Sequence, residues 1–165
     1  MSQIPPQLCL WATASVFKHL VDQAGGVSVF IEGQQRNTEE DQVWYELRMD
    51  GPLYQQKTTD ELRMDVEVNV LVSVVQDSRD IYKIRRHCGL VASMFTSCIP
   101  LKRYGDIADD VLNDETQIGV LQVRTERREE TGINYFGKVR PDTNLEQATV
   151  EGHYREYLSV ERCLS

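Results

Sequence analysis

The chain has 165 residues, with 26 acidic against 18 basic side chains and a formal net charge of −8. That length fits one domain able to bury about 70% of the surface its unfolded chain exposes, so 1–165 is expected to fold as a single domain without staples. The charge disfavours avid nucleic-acid binding. No apolar run nears the roughly 20 residues that span a bilayer, and the N-terminus lacks the basic flank of a signal peptide, so neither membrane insertion nor secretion is expected.

A helix is predicted over about 7–23, where Leu8, Trp11, Ala12, Val16 and Leu20 recur at three- and four-residue steps, and Gly25-Gly26 supplies a left-handed stop. Val27 to Ile31 reads as a short strand. Residues 33–42 read as a polar loop ending in Glu39-Glu40-Asp41. A second strand runs from Val43 to Asp50, with Tyr45, Leu47 and Met49 on one face and Trp44, Glu46 and Arg48 on the other. Asp50-Gly51-Pro52 breaks it. From Leu62 to Val75 apolar residues alternate with Arg63, Asp65, Glu67, Asn69 and Ser73, the period of a strand with one wet face. Such a strand is about 46 Å long, against a diameter of about 40 Å for a compact chain of this size. Either the strand bends at a bulge or its Leu62 end projects as a hairpin arm; the polar residues 51–61 favour the arm, with themselves at its tip.

Asp77-Ser78-Arg79-Asp80 reads as a cap for a second helix over about Asp80 to Cys98, with Ile81, Ile84, Cys88, Val91, Ala92 and Phe95 as its apolar stripe and Pro100 as its stop. Strands follow at Gln117 to Thr125 and Gln147 to Val160. In the latter, Ala148, Val150, Tyr154, Leu158 and Val160 share a face. Between them lies a polar excursion, Glu126 to Glu146, and about 20 residues of loop inside a compact domain are usually functional. The order predicts an α+β fold: a mostly antiparallel sheet, two helices packed on one face, and a projecting hairpin.

Catalytic motifs are missing from the sequence. Cys9, Cys88, Cys98 and Cys163 form no C-x-x-C pair, and Cys88 and Cys98, about 15 Å apart along one helix, are too distant for a disulfide. Reduced, mostly buried thiols are expected. His19, His87 and His153 lack metal-ligand spacing and read as exposed helix residues (the first two) and a wet-face strand residue. The carboxylates Asp106, Asp109, Asp110, Asp114 and Glu115 lack the order of a calcium loop and read as a solvated acidic loop. No catalytic residue, cofactor or metal is argued from this set.

The bases are more informative. Lys83, Arg85, Arg86 and His87 crowd the start of the second helix, where the macrodipole disfavours positive charge. Arg127, Arg128, Lys138 and Arg140 lie in the excursion that also holds Tyr135-Phe136. One reading is ordinary solvated charge. The other is an interface in which Arg86, Arg127, Arg128, Tyr135, Phe136, Lys138 and Arg140 meet acidic surface on a neighbouring copy, such as Glu39-Glu40-Asp41 or the 106–115 loop.

In segment order and length the chain resembles the tail terminator (tail completion) proteins of long-tailed bacteriophages: an N-terminal helix, a strand pair, a long hairpin strand (Glu61 to Val75), a helix after a short turn (Asp77 to Cys98), and two closing strands. Leu101-Lys102-Arg103-Tyr104-Gly105, Ile118-Gly119-Val120-Leu121-Gln122 and the Ala148 to Leu158 strand suit that layout. The resemblance implies a non-enzymatic virion protein, assembled in the host bacterial cytoplasm. It would form a hexameric ring at the tail–neck junction, halting growth of the tail tube and docking to a head-side connector or stopper protein. It also implies that DNA passes through the ring without sequence-specific binding, past an acidic lining for which Glu39, Glu40, Asp41, Asp109 and Asp110 are the candidates. Two other classes remain open: another head–tail connector or neck protein, and a small cytoplasmic ligand-binding or enzymatic α+β domain.

Overall fold

The alternating row from Leu62 to Val74 forms the centre of the sheet. The structure is a computed structural model and describes residues 6–34, 38, 41–58, 60–76, 79–103, 117–124, 132–140 and 143–159. In chain order the elements are α1 (Leu8–Gln23), β1 (Ser28–Ile31), β2 (Val43–Gln56), β3 (Glu61–Val75), α2 (Lys83–Met94), β4 (Ile99–Lys102), β5 (Gln117–Val123), β6 (Gly132–Lys138) and β7 (Leu145–Ser159). The fold is α+β.

The strands lie in the order β1-β2-β3-β7-β5-β4, with β6 added to β7 as a side branch. Among the described residues only β1 and β2 run parallel; the other pairs are antiparallel. One edge of β7 is shared by two strands. Its start, Glu146 to Glu151, pairs with β6, and its later residues Tyr154 and Arg155 pair with β5.

Both helices cover the face that carries the even-numbered residues of β3. Leu8, Ala12, Val16 and Leu20 of α1 and Ile84, Cys88, Val91 and Met94 of α2 join Tyr45, Leu47, Val66 to Val74, Ala148, Val150 and Tyr154 in one buried cluster. Each buried valine or leucine contributes roughly 1.5–3 kcal/mol, so this row outweighs any local propensity. Phe95, at the C-cap of α2, sits on β7 at Gly152, where a side chain would have met its ring. Both Gly25 and Gly26, after α1, have positive φ, 62° and 93°, as a left-handed stop requires.

Several expectations change. Asp50-Gly51-Pro52 does not end β2: a bulge between Asp50 and Leu53 absorbs the break, and pairing with β3 resumes at Leu53 and runs to Gln56. A bulge takes a proline because the ladder there lacks a donor position to lose. The hairpin tip is exposed as predicted, but its β3 side is not a free arm. β7 pairs with β3 along its whole length, Glu61 opposite Ser159 through Val75 opposite Leu145, and Leu62 and Met64 are buried. The long strand is thus the middle of a three-stranded ribbon.

The second helix is shorter than predicted. Asp80 precedes it, its carboxylate accepting the Tyr82 N–H (3.2 Å) instead of capping the first turn, and Ile81 is exposed, outside the stripe. At the far end Cys98 lies beyond α2, and Pro100 sits within β4. Cys88 is buried, whereas Cys9 and Cys98 are exposed, so the thiols are not mostly buried. On the second face of the sheet Trp44 and Glu46 are buried instead of wet, with Arg48 folded back on Glu46 at 3.3 Å. The excursion at 126–146 is not all loop, since it contains β6.

Candidate assembly surface

β6 owes its place mainly to its ladder with β7. Ile133 lies opposite Val150 and Tyr135 opposite Ala148, which puts both on the helix side of the sheet, while Asn134 opposite Thr149 points to the other face. All seven residues of β6 are nevertheless exposed. The ladder slips between Tyr135 and Gly137, leaving Phe136 as the bulged residue, and Gly137 takes φ +73°. A bulge re-aims its side chain, and Phe136 is 57% exposed. Beyond the strand, the Val139 N–H bonds the Leu145 carbonyl (2.9 Å), and the Arg140 carbonyl accepts the Thr143 N–H and hydroxyl, closing the β6–β7 turn.

The cations are sorted by this geometry. The Arg85 guanidinium stands 4.4 Å from the centre of the Tyr135 ring, a contact worth about 0.5–1 kcal/mol at an exposed site. Arg86, the predicted interface residue next to it, instead forms an ion pair with Asp80 of its own chain. Lys138 and Arg140 are exposed at the end of the strand. The structure thus gathers Tyr135, Phe136, Lys138 and Arg140 on one flap, with Arg86 on the adjoining helix turned to an internal partner. Arg127 and Arg128 lie outside the described residues, as do Glu39, Glu40, Asp109 and Asp110. Asp41 is half-buried just before β2, its N–H donating to the Thr38 carbonyl at 3.1 Å. Sequence reasoning singled out Arg85 among the helix bases but not its place over Tyr135, and it missed Ile133 and Val139; the short alternation Ile133-Asn134-Tyr135 was the signal for a strand.

Other polar groups are engaged within the chain. Between α1 and β4 a cleft of about 180 Å³ is lined by Ser15, Lys18, His19, Asp22 and Lys102, small beside the roughly 300–1,000 Å³ of a ligand pocket. Ser15, His19 and Asp22 form no relay. The Ser15 hydroxyl accepts the Lys102 N–H (3.1 Å), His19 Nε2 meets the Met94 carbonyl (3.1 Å), and Asp22 pairs with Lys18 (3.0 Å). His19 and His87 are therefore part-buried and bonded, not exposed helix residues.

Between α2 and the sheet the Tyr45 hydroxyl meets His87 Nδ1 at 2.7 Å. Burial, and then the charges of Lys83 and Arg86, push the His87 pKa below its usual value. Burial raises Tyr45 to about 12 and the Cys88 thiol to about 11, so Cys88 is protonated and inert.

On the opposite face Asp65 is ringed by Arg155 on β7 (2.6 Å), Arg63 on its own strand (3.2 Å) and Arg124 (4.0 Å). Burial alone would raise its carboxyl. The Arg155 hydrogen bond and the charges of Arg124, Arg155 and Arg63 outweigh that and hold it below the usual range. Among the described residues no group of three or more His, Cys, Asp or Glu side chains is placed to hold a metal ion, and no helix is long and apolar enough to cross a membrane.

No family model matches the chain, and no curated protein matches it. It is similar in structure to a solved chain that carries only a sequence identifier for a name, at 13% identity and a TM-score of 0.49, over 89% of this chain and 94% of that one. A likeness of that degree carries no functional argument, so function is argued from the surface of the chain itself.

Proposed function

We propose that this chain is a structural virion protein of a long-tailed bacteriophage. In this reading it assembles into a ring, most simply a hexamer, that caps the tail tube, ends its growth and joins the tail to the head-side neck. The observation that carries the reading is the β6 flap. It exposes Phe136 and Val139 and leaves Ile133 and Tyr135 partly open beside Arg85, Lys138 and Arg140, on a strand none of whose side chains enters the core. Tyrosine, phenylalanine and arginine are what the centres of protein interfaces favour. An acidic chain with a locally basic, aromatic flap is suited to meet other copies of itself. The order of elements supports the family resemblance, with the long β3 strand and its hairpin at the centre.

Mass measurement in solution and two-dimensional averages of negatively stained particles test this directly. Rings built from the 19.0 kDa subunit that bind one end of isolated tail tubes and stop their extension are expected. A chain that stays monomeric at high concentration and leaves tube growth unchanged refutes the reading.

A further inference from the structure

We infer that copies of this chain dock head to tail: the trough between α2 and β6 of one copy receives an acidic, apolar knob around Leu53, on the β2–β3 hairpin of the next. This contact deepens the assembly proposed above and rests on it for the meeting of copies. α2 begins beside the start of β7, where the Lys83 ammonium reaches the Val75 carbonyl (3.4 Å), and ends with Phe95 on Gly152. β6 runs the other way along β7, from Gly132 opposite Glu151 to Lys138 opposite Glu146. Arg85 crosses to Tyr135, so the next turn of α2, which carries Gly89, lies toward Ile133 and Gly132. Among the described residues nothing comes within 4 Å of a Cβ built at Gly89 or Gly132. The trough is thus bridged at one end by Arg85 and open at the other. Gly89 is exposed within the helix, with neither a positive φ nor a close neighbour to require it. Glycine there weakens the helix relative to alanine. A surface brought close against that turn accounts for it.

Charge selects the occupant. Arg85, Lys138 and Arg140 are exposed on the two sides of the trough, with Lys83 and Arg86 near its helix side. Asp80 answers Arg86 and Glu146 stands opposite Lys138, which leaves bases in excess among the described residues. The complement lies on the opposite face of the sheet. Asp50 is paired opposite Glu67 and Leu53 opposite Asp65, which puts them on the odd-numbered side of β3, away from the helices. Asp50 and Glu67 are both exposed, and like charges directly opposed destabilise a sheet. The cations of that face are turned elsewhere, Arg48 to Glu46 and Glu32 and Arg63 to Asp65, while His153 stands 3.8 Å from Glu67. Leu53 is 66% exposed, the barest large apolar side chain among the described residues. A leucine beside two opposed carboxylates matches a basic, aromatic trough in both polarity and charge. Knob and trough lie on opposite faces, so each copy gives one and receives one. Repeated about an axis, such a heterologous contact closes as a ring that keeps two different ends.

Charge exchange on the full chain tests the contact. Asp50→Lys replaces a like-charge pair by an opposite one, so the subunit Tm should hold or rise, while self-association measured by sedimentation weakens on the order of tenfold or more. Arg85→Glu should keep the native circular-dichroism spectrum, since a carboxylate suits the first turn of α2, and should weaken association likewise. In the double variant every trough and knob are exchanged together, and association should recover. Gly89→Leu should raise Tm yet weaken association, by filling the trough. Cross-linking gives the direction. In a background with Cys9, Cys98 and Cys163 changed to serine, Leu53→Cys and Gly89→Cys proteins mixed together should form dimers with a short bis-maleimide, and neither should do so alone. Unchanged association of Asp50→Lys, no recovery in the double variant, or cross-linking of either protein alone as strong as in the mixture overturns the contact. Rings that form in every variant overturn it and leave the ring intact. Head-to-tail chains that never close or never cap a tube support it and overturn the ring reading.

Discussion

Gly152 offers a sharp test of how α2 is seated. A Cβ built there would lie 2.7 Å from Phe95 Cγ, 2.9 Å from Cδ2 and 3.1 Å from Cβ. Gly152 stands opposite Val68 in the unbroken β3–β7 ladder, on the face under α2. Two effects compete in Gly152→Ala. Lower entropy of the unfolded chain favours alanine by about 0.4–1 kcal/mol, while overpacking a tight core costs typically about 1–3 kcal/mol. Overpacking wins here because Phe95 has no room to retreat. It is 1% exposed, stands edge-on to Tyr154 with centroids 6.3 Å apart, and its N–H is held by the Ala92 carbonyl at the end of the helix.

The expected net loss is about 1–2 kcal/mol, which for a chain of this size lowers Tm by roughly 2–8 °C. Urea titration should show a lower midpoint with an unchanged slope, since the exposed surface on unfolding is the same. The double-mutant cycle with Phe95→Leu isolates the contact. Phe95→Leu destabilises by itself, but in its presence Gly152→Ala should become neutral or stabilising, a coupling within the 0.5–3 kcal/mol usual for touching residues (about that range). Gly152→Ala as stable as the parent in the Phe95 background would refute the seating of the helix.

Three further outcomes follow from the sites described. Asp65→Asn should destabilise by about 1.5–3 kcal/mol, because charge-assisted bonds to Arg155 and Arg63 are lost and guanidiniums that are mostly covered lose their counter-charge. Its depressed carboxyl pKa implies stability present above about pH 4, the unfolded value, and lost as pH falls through the folded one; Asp65→Asn should flatten that acid limb in urea titrations from pH 2 to 5. For His87 the folded pKa is lowered, so the unfolded chain binds the proton first and stability should decline as pH drops below about 6.5, a slope that His87→Gln removes. Replacing Tyr135 and Phe136 together by serine should lower subunit melting only slightly, since neither belongs to the buried core, while blocking the proposed assembly; a double variant that unfolds places the pair in the subunit core instead.

Legibility followed burial. β3 could be read because each second residue from Leu62 to Val74 enters one core, and α1 because its three- and four-residue steps do the same. The errors arose where local chemistry and tertiary pairing disagreed. Asp50-Gly51-Pro52 has the composition of a turn, yet β3 continues alongside and holds β2 extended through a bulge. Pro100 reads as a helix stop and leaves Ile99 to Lys102 unassigned, but pairing of Ile99 with Leu121 and of Leu101 with Gly119 makes them a strand over α1. Asp65 looked like one more wet residue of a half-buried strand. Only the alignment of β7 and β5, distant in sequence, brings Arg155 and Arg124 to it.

β6 was missed for the opposite reason, and that reason bears on function. A strand whose side chains stay out of the core leaves only a short alternation, Ile133-Asn134-Tyr135, so Gly132–Lys138 reads as polar excursion although it pairs beside β7 through a bulge. The subunit core therefore did not choose these side chains. A flap outside the core, held by its ladder to β7 and the Arg85 contact, is well served by threonine, lysine or glutamate, and gains little from three large apolar groups in four positions. Ile133, Tyr135 and Phe136 stand there all the same, with Arg85 laid across the tyrosine. Their exposure costs solubility and adds little to subunit stability, since the Arg85 contact is worth no more than about 1 kcal/mol. The free energy of covering what remains exposed, less than the roughly 1.5–3 kcal/mol of a fully buried side chain because Ile133 and Tyr135 are only 38% and 37% exposed, is released only when another surface covers the flap. Subunit stability is thus concentrated in the β3 row and the helices, and in the proposed assembly association would rest on β6. That separation is what lets the serine double variant distinguish folding from assembly.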